Sequence, residues 1–270
     1  MDELLPPEVT VIIVSLNQAA KTIKCFQSIR ATCSLPREII WVDNGSKPDE
    51  FAMMRRAATR PRMRCKLVKH PHNVGFIQWV NSAIPEIDKR SKYVVLLNND
   101  TEVGPNTFKK LVKPFEEMSD TGLTSCITQS QISWQTAEHL NRRWPALKLP
   151  YFKESHNDLL AYNSVLEKGF TGKALDVTRM NIAFFCACFR KDVFVNEMGG
   201  LDPAFGIGLA EDDYANHFLR HRGYKSYLAL DAFVFHHHRT TFKALKLGLD
   251  SIRRANLKTL RTKIKQLDNP

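Results

Sequence analysis

Four apolar runs punctuate the first hundred residues, each broken off by polar ones. VTVIIVS (Val9 to Ser15) runs into Leu16 and Asn17. IIWV (Ile39 to Val42) stops at Asp43, Asn44 and Gly45. KLVKH (Lys66 to His70) is shorter and more polar. YVVLL (Tyr93 to Leu97) stops at Asn98, Asn99 and Asp100, ahead of a turn at Gly104 and Pro105. Unbroken β-branched and aromatic runs closed by turn residues predict strands buried on both faces. Between them, Ile23, Phe26 and Ile29 recur at helical spacing, a basic helix is expected around Met53 to Ala58, and NVGFIQWVNSAI (Asn73 to Ile84) reads as a turn followed by a helix. Strands alternating with helices predict an α/β fold, a mostly parallel sheet flanked by helices. Ligands in such sheets bind beyond the carboxyl ends of the strands. Asn17, Asp43 and Asp100 all stand there.

The second half is less regular. Ser130 to Asp176 has no sustained period. NIAFFCACFRKDVF (Asn181 to Phe194) reads as a strand leading into a helix, and DAFVFHHHR as a last strand that ends in His236, His237 and His238. Between them, glycines at 199, 200, 206 and 208 precede the acids Glu211, Asp212 and Asp213, after which Tyr214, Phe218 and Leu219 resume helical spacing. Residues 243 to 267 predict a basic amphipathic helix or pair of helices, with Leu245, Leu249, Ile252, Leu260, Ile264 and Leu267 on one stripe.

Composition narrows the classes. With 270 residues, 43% hydrophobic and 25% charged, the chain is an ordinary globular sequence without repeats. No apolar run reaches the roughly 20 residues of a membrane span, and the acidic, Pro-containing MDELLPPEV does not resemble a signal peptide. Six scattered cysteines without a CxxC pair read as reduced thiols of a cytoplasmic protein, with Cys186 and Cys188 on one strand face. The net charge of +11 suits an anionic membrane, a phosphorylated substrate or nucleic acid. However, residues 243 to 270 hold eight Lys or Arg against two Asp, a net of +6. Charge gathered in a tail, not interleaved with aromatics, argues against a nucleic-acid binder.

Three constellations carry candidate chemistry. Asp100, in NNDTEVGP, is either a turn former or an oxygen ligand for a hard divalent cation. Asp43, in DNGS, shares that ambiguity and could instead accept hydrogen bonds from a ribose or base. The acids at 211 to 213 either complement a helix dipole or crowd one another until one has the pKa of a general base. His236 and His238 share a strand face, as a surface cluster or as a metal ligand beside Asp100.

Taken in order, these segments resemble a family-two glycosyltransferase of the GT-A fold, and within that family its rhamnosyltransferase-like branch. The resemblance spans roughly residues 8 to 240. VTVIIVSLN resembles the first strand, WVDNGS the strand-two Asp motif, and HNVGFIQWVN the N-x-G-F…N segment with Asn73, Gly75, Phe76 and Asn81. LLNNDT resembles this branch's form of the metal motif, GGLDPAF…EDD the acceptor-side loop and catalytic acids, and VFHHH the late histidine.

The resemblance implies a Rossmann-like GT-A catalytic domain over 1–242. Its nucleotide-sugar-binding half is 1–105 and its acceptor-binding half 106–242, with a basic helical tail over 243–270. It implies an inverting transfer of sugar from a UDP- or dTDP-linked donor to a hydroxyl of a glycan or lipid-linked acceptor, as in polysaccharide biosynthesis. Asp212 would be the general base with Glu211 beside it. Asp43 would hold the base and ribose, and Asn17, Asn73, Gly75, Asn98 and Asn99 would line the donor site. Asp100 and His236 would ligate Mn²⁺ or Mg²⁺. Asn98 stands where many relatives have a first Asp, which shifts weight onto His236 and the nucleotide.

Competing expectations are a nucleotidyltransferase, disfavoured because SLNQAAKT lacks a glycine-rich phosphate loop, and an inactive relative that only binds a partner. The tail carries two readings: a helix packed on the catalytic domain, or an anchor on an anionic membrane at the cytoplasmic face.

Overall fold

In the computed structural model, residues 7–35, 37–73, 75–130, 133–152, 159–237 and 249–269 are described. The strands are β1 (Val9–Ser15), β2 (Arg37–Asn44), β3 (Cys65–His70), β4 (Tyr93–Asn98), β5 (Thr101–Val103), β6 (Thr121–Ile127), β7 (Ala174–Asp176), β8 (Cys186–Arg190) and β9 (Lys225–His236). The α-helices are α1 (Ala19–Thr32), α2 (Pro48–Ala58), α3 (Phe76–Ser82), α4 (Thr107–Glu117), α5 (Ala137–Arg143), α6 (Leu159–Phe170), α7 (Glu211–His221) and α8 (Leu249–Asp268).

The sheet runs in the order β3-β2-β1-β4-β8-β6-β9-β5, with β7 on β9. The apolar runs of the first half become four parallel strands, with Ile12 aligned to Ile40 on one side and to Leu96 on the other. Alternation along each strand builds two cores. Val11, Ile13, Ile39 and Trp41 face Phe26, Ile29 and Met54 of α1 and α2 and Phe108 of α4. Ile12, Val14, Ile40 and Val42 join the core to which α3, α5, α6 and α7 contribute Ile77, Val80, Leu140, Leu166 and Leu219. Every residue of β1 is buried, as an inner strand covered on both faces requires.

The sheet departs from the simple parallel expectation in its second half. β8 inserts antiparallel between β4 and β6, pairing Leu97 with Cys186 and Thr124 with Cys188. The chain therefore reaches the carboxyl edge of β4 just before entering β8. Cys186 and Cys188 do share one core. The helix expected after this strand is a π-helical turn, Asp192–Glu197. The segment after Asp100 is no simple turn either, because Thr101–Val103 forms β5 and pairs antiparallel with β9, Thr101 opposite His236. β2 runs on through Asp43 and Asn44, so that Asp43 lies inside the strand end. β9 begins at Lys225, ahead of the run seen in sequence.

The start of α2 follows from sequence. Pro48 fits the first helical turn, where its missing N–H costs nothing, and Asp49 and Glu50 complement the dipole. Glu50 Oε2 also accepts from Ala19 N at 2.5 Å, tying α2 to the start of α1.

Candidate active site

The site is built on the carboxyl edge of β1, β2 and β4. At the end of β4, Asp100 Oδ1 stands 3.1 Å from His236 Nε2, with both side chains almost fully buried. Asn98 Nδ2 lies 3.4 Å from the same ring nitrogen. The antiparallel β5–β9 pairing creates this meeting, and His237 N closes it by donating to Asp100 O at 2.8 Å. The imidazole stacks on Phe185, centroids 5.4 Å apart at 20°. Gln129 clamps its backbone: Nε2 donates to His236 O at 3.0 Å and His236 N donates to Oε1 at 3.1 Å. His237 points to the other side, its Nε2 2.6 Å from Glu102 Oε1. His238 lies outside the described residues.

This pair fits a divalent cation. Adjacent ligands of an octahedral ion, each at about 2.1 Å, stand about 3 Å apart, and Asp100 Oδ1 and His236 Nε2 already have that spacing. Among the described residues no group of three or more His, Cys, Asp or Glu converges to hold a metal. A cation here would complete its shell from the substrate and water, as such ions do when they bridge phosphates.

The donor-side candidates divide in what they do. Asp43 is fully buried. Its Oδ2 accepts a long 3.4 Å bond from Ser46 N, while Oδ1 has no hydrogen-bond partner among the described residues. A buried carboxylate oxygen without a donor is costly, which suits a group waiting for a ligand's N–H or O–H. Asn17 adopts the left-handed conformation (φ 55°) that Asn tolerates better than most residues. Its Oδ1 accepts from Lys47 N at 2.9 Å and its N donates to Ser46 Oγ at 2.7 Å, joining the ends of β1 and β2. Asn99 commits its amide to Thr22 Oγ1 of α1 at 2.8 Å.

Asn73 and Gly75 shape a loop contact. Asn73 Oδ1 accepts from Gly75 N at 3.0 Å. At Gly75 (φ 90°) a Cβ would fall 2.9 Å from Ile207 Cα, so only glycine permits that approach. Phe76 N then donates to Ile207 O at 3.3 Å. Asn81 completes the contact, donating to Leu201 O at 2.7 Å and accepting from Leu201 N at 2.9 Å. The N-x-G-F…N segment thus grips the GGLDPAF loop across the molecule.

That loop delivers the acids. Leu209 and Ala210 both have positive φ (75° and 81°) immediately before α7, a strain of about 1–2 kcal/mol per residue for non-glycine side chains. Burial pushes the Glu211 carboxyl up to about 8, with Asp212 adding to it. Burial, and then Asp213, raise Asp212 to about 6. Glu211 Oε2 has no hydrogen-bond partner among the described residues. Asp213 Oδ1 accepts from Asn181 Nδ2 at 2.6 Å. Asn216 brackets Ile182, accepting from its N at 3.0 Å and donating to its O at 2.9 Å.

These bonds link α7 to the Asp100–His236 pair through one short segment. Ile182 is fixed to α7, and Phe185, which stacks on His236, accepts from Asn98 N at 2.9 Å. Only Ala183 and Phe184 lie between those anchors, and the three Cα–Cα steps can span no more than about 11 Å. Gln135 holds the segment between, its Oε1 accepting from Ala183 N at 2.8 Å. Sequence reading passed over Gln129, Gln135, Asn181, Phe185 and Asn216. Gln129 lies just beyond β6, a strand that the apolar pattern did not mark.

The fold is that of the GT-A glycosyltransferases. The mannosyltransferase PcManGT from Pyrobaculum calidifontis, in complex with GDP-Man and Mn²⁺, superposes with a TM-score of 0.60 at 16% identity, over 97% of this chain and 74% of its own. GalNAc-T7 with UDP, GalNAc and Mn²⁺ superposes with a TM-score of 0.64 at 15% identity, over 89% of this chain and 45% of its own, so this chain spans less than half of that protein. No curated protein sequence matches significantly. The sequence pattern of "Glycosyl transferase family 2" matches residues 10–195. The chain belongs to glycosyl transferase family 2.

Proposed function

We propose that the protein transfers a sugar, with inversion, from a UDP- or dTDP-linked donor to a hydroxyl of a glycan or lipid-linked acceptor. The observation that supports this reading is the short segment 182–185, which is tied to α7, whose first turn carries Glu211 and Asp212, and stacks Phe185 on His236 beside Asp100. Both structural neighbours hold Mn²⁺ with a nucleotide or nucleotide sugar, in keeping with the donor set of Asp100 and His236. LLNNDT favours the rhamnosyltransferase-like branch.

The chain's own residues divide the work. Asp43 offers its unpartnered Oδ1 to the base or ribose. Asp100 and His236 would hold Mn²⁺ or Mg²⁺, which supplies charge neutralisation to a leaving diphosphate. Asp212, raised to about 6, is ionised at neutral pH yet basic enough to take a proton. It accepts the proton of the acceptor hydroxyl as that oxygen bonds to the anomeric carbon. The bond from that carbon to the diphosphate breaks, and its electron pair leaves with the diphosphate. One displacement inverts the centre, and no enzyme nucleophile is needed. Glu211, raised to about 8, stays neutral beside it and adds no second negative charge.

The tail contributes a further partner to the proposal. α8 buries Asn256 and half-buries Ile252, Leu260, Lys263, Ile264 and Leu267, while Arg253, Arg254, Lys258, Arg261 and Lys265 are exposed. The packed-helix expectation therefore describes its inner face. Arg254, Lys258, Arg261 and Lys265 recur at helical spacing on the outside, which supports contact with an anionic membrane. Among the described residues no helix is long and apolar enough to cross a membrane.

A panel of UDP- and dTDP-sugars with Mn²⁺ tests the function. A donor at 100 times its Kd stabilises the fold by about 2.7 kcal/mol, a visible shift in Tm. Asp212→Asn should keep that shift and lose turnover by about 10²–10⁴-fold. If no nucleotide sugar moves Tm, or if Asp212→Asn keeps more than a tenth of the rate, the reading fails.

A further inference from the structure

Asn256 is out of character with its surroundings. It lies on the inward stripe of α8, among Ile252, Leu260 and Ile264, and is 7% exposed. An apolar residue would satisfy the packing there. Instead Nδ2 stands 2.9 Å from Phe205 O, 2.7 Å from Gly208 O and 2.9 Å from Leu209 O. Two N–H protons thus serve three carbonyls, all on the loop that turns through left-handed Leu209 and Ala210 into Glu211. Two turns further along α8, Lys263 Nζ pairs at 2.8 Å with Asp202 Oδ2, and Asp202 itself caps Ala204 N at 2.9 Å. The helix therefore grips the loop at both ends, while α3 holds its other side through Asn81 and Gly75.

We propose that Asn256 is a positioning residue for the acid pair, fixing the 205–210 turn so that the first turn of α7 presents Asp212 to the acceptor. This rests on the reading of Asp212 as general base. The physical reason is that two consecutive non-glycine residues in the left-handed region relax unless their neighbours over-determine them. Asn256 supplies the only side-chain donors to these carbonyls among the described residues. A relaxed turn would move the acids relative to Ile182 and Phe185 without disturbing Asp43, Asp100 or His236. The signature is therefore a loss in the chemical step with donor binding preserved.

Asn256→Leu removes the donors while keeping the number and branching of the side-chain heavy atoms, and Asn256→Ser retains one shorter donor should the bulkier leucine fail to fold. Three measurements apply: calorimetry of UDP and dTDP with Mn²⁺, release of nucleoside diphosphate from UDP-glucose and dTDP-rhamnose, and backbone hydrogen exchange. Expected are a Kd within twofold of wild type, a kcat lowered about 10–100-fold for leucine and less for serine, and faster exchange confined to residues 205–214. Each rate is taken 15 °C below that variant's own Tm. Rates that recover to the wild-type value under that condition, or a kcat loss matched by an equal loss in UDP and dTDP affinity, overturn the proposal. Asp212→Asn, run in parallel, separates the two layers. An active Asp212→Asn overturns the reading of the base, whereas an inactive Asp212→Asn beside a fully active Asn256→Leu overturns the role of Asn256 alone.

Discussion

The raised carboxyl of Glu211 makes stability a reporter of the site. Its pKa stands at about 8 against an ordinary 4.5, because burial disfavours the charged form and Asp212 repels it. Between those values the folded protein binds more protons than the unfolded chain, so stability falls as pH rises. The contribution is fully present below about pH 4.5 and is lost as pH climbs through about 8. One proton's difference gives a slope of about 1.4 kcal/mol per pH unit, hence roughly 3–5 kcal/mol across the window. Glu211→Gln removes this dependence while keeping the neutral shape. The assay is urea denaturation at half-unit intervals from pH 5 to 9 for both proteins, read as a difference so that histidines and other carboxylates cancel. The wild type should lose stability relative to the variant as pH rises, most steeply between 5 and 8. A difference flat across that range would refute both the neutral Glu211 and the division of labour with Asp212.

Two further outcomes follow from the geometry. Asp100→Ala should abolish the Mn²⁺ enhancement of UDP or dTDP binding in calorimetry and His236→Ala should weaken it less; equal enhancement in wild type and Asp100→Ala removes Asp100 from the site, and a larger effect from His238→Ala transfers the role to that histidine. Replacing Arg254, Lys258, Arg261 and Lys265 by Gln should abolish salt-sensitive binding to anionic vesicles, at about 1 kcal/mol per charge, while leaving the inner face of α8 in place; no binding of the intact chain at low salt would sink the membrane contact.

What was legible in the sequence was what local pattern encodes. β1, β2 and β4 are buried on both faces, so their runs of Val, Ile and Leu are unbroken and mark the parallel core. Asp100 and the acids that open α7 were visible because charges at a strand end or helix start interrupt such patterns. β6 was missed, since TGLTSCI is fully buried yet carries hydroxyls that bond inward, Thr124 Oγ1 to Leu111 O at 2.7 Å and Ser125 Oγ to Cys186 O at 2.7 Å. The antiparallel insertion of β8 was illegible because strand direction depends on how the chain returns, and CACFR reads alike both ways. Asn256 escaped notice because its three acceptors are backbone carbonyls, which carry no residue signature. Gln129 and His236 clamp one another from 107 residues apart and leave no spacing to detect.

The long reach of these clamps bears on how the protein is born. Asn98 meets His236 across 138 residues, Asn81 meets Leu201 across 120, and the turn at Gly208 receives Asn256 only 48 residues later. At a synthesis rate of about 5–20 residues per second, Asn98 waits roughly 7–28 s for its partner to leave the ribosome. For about the first two-thirds of that interval, until Cys186–Arg190 has been made, the outer edge of β4, apolar from Tyr93 to Leu97, lacks the β8 strand that covers it. The nascent chain thus carries an open sheet edge and an unfinished crevice together.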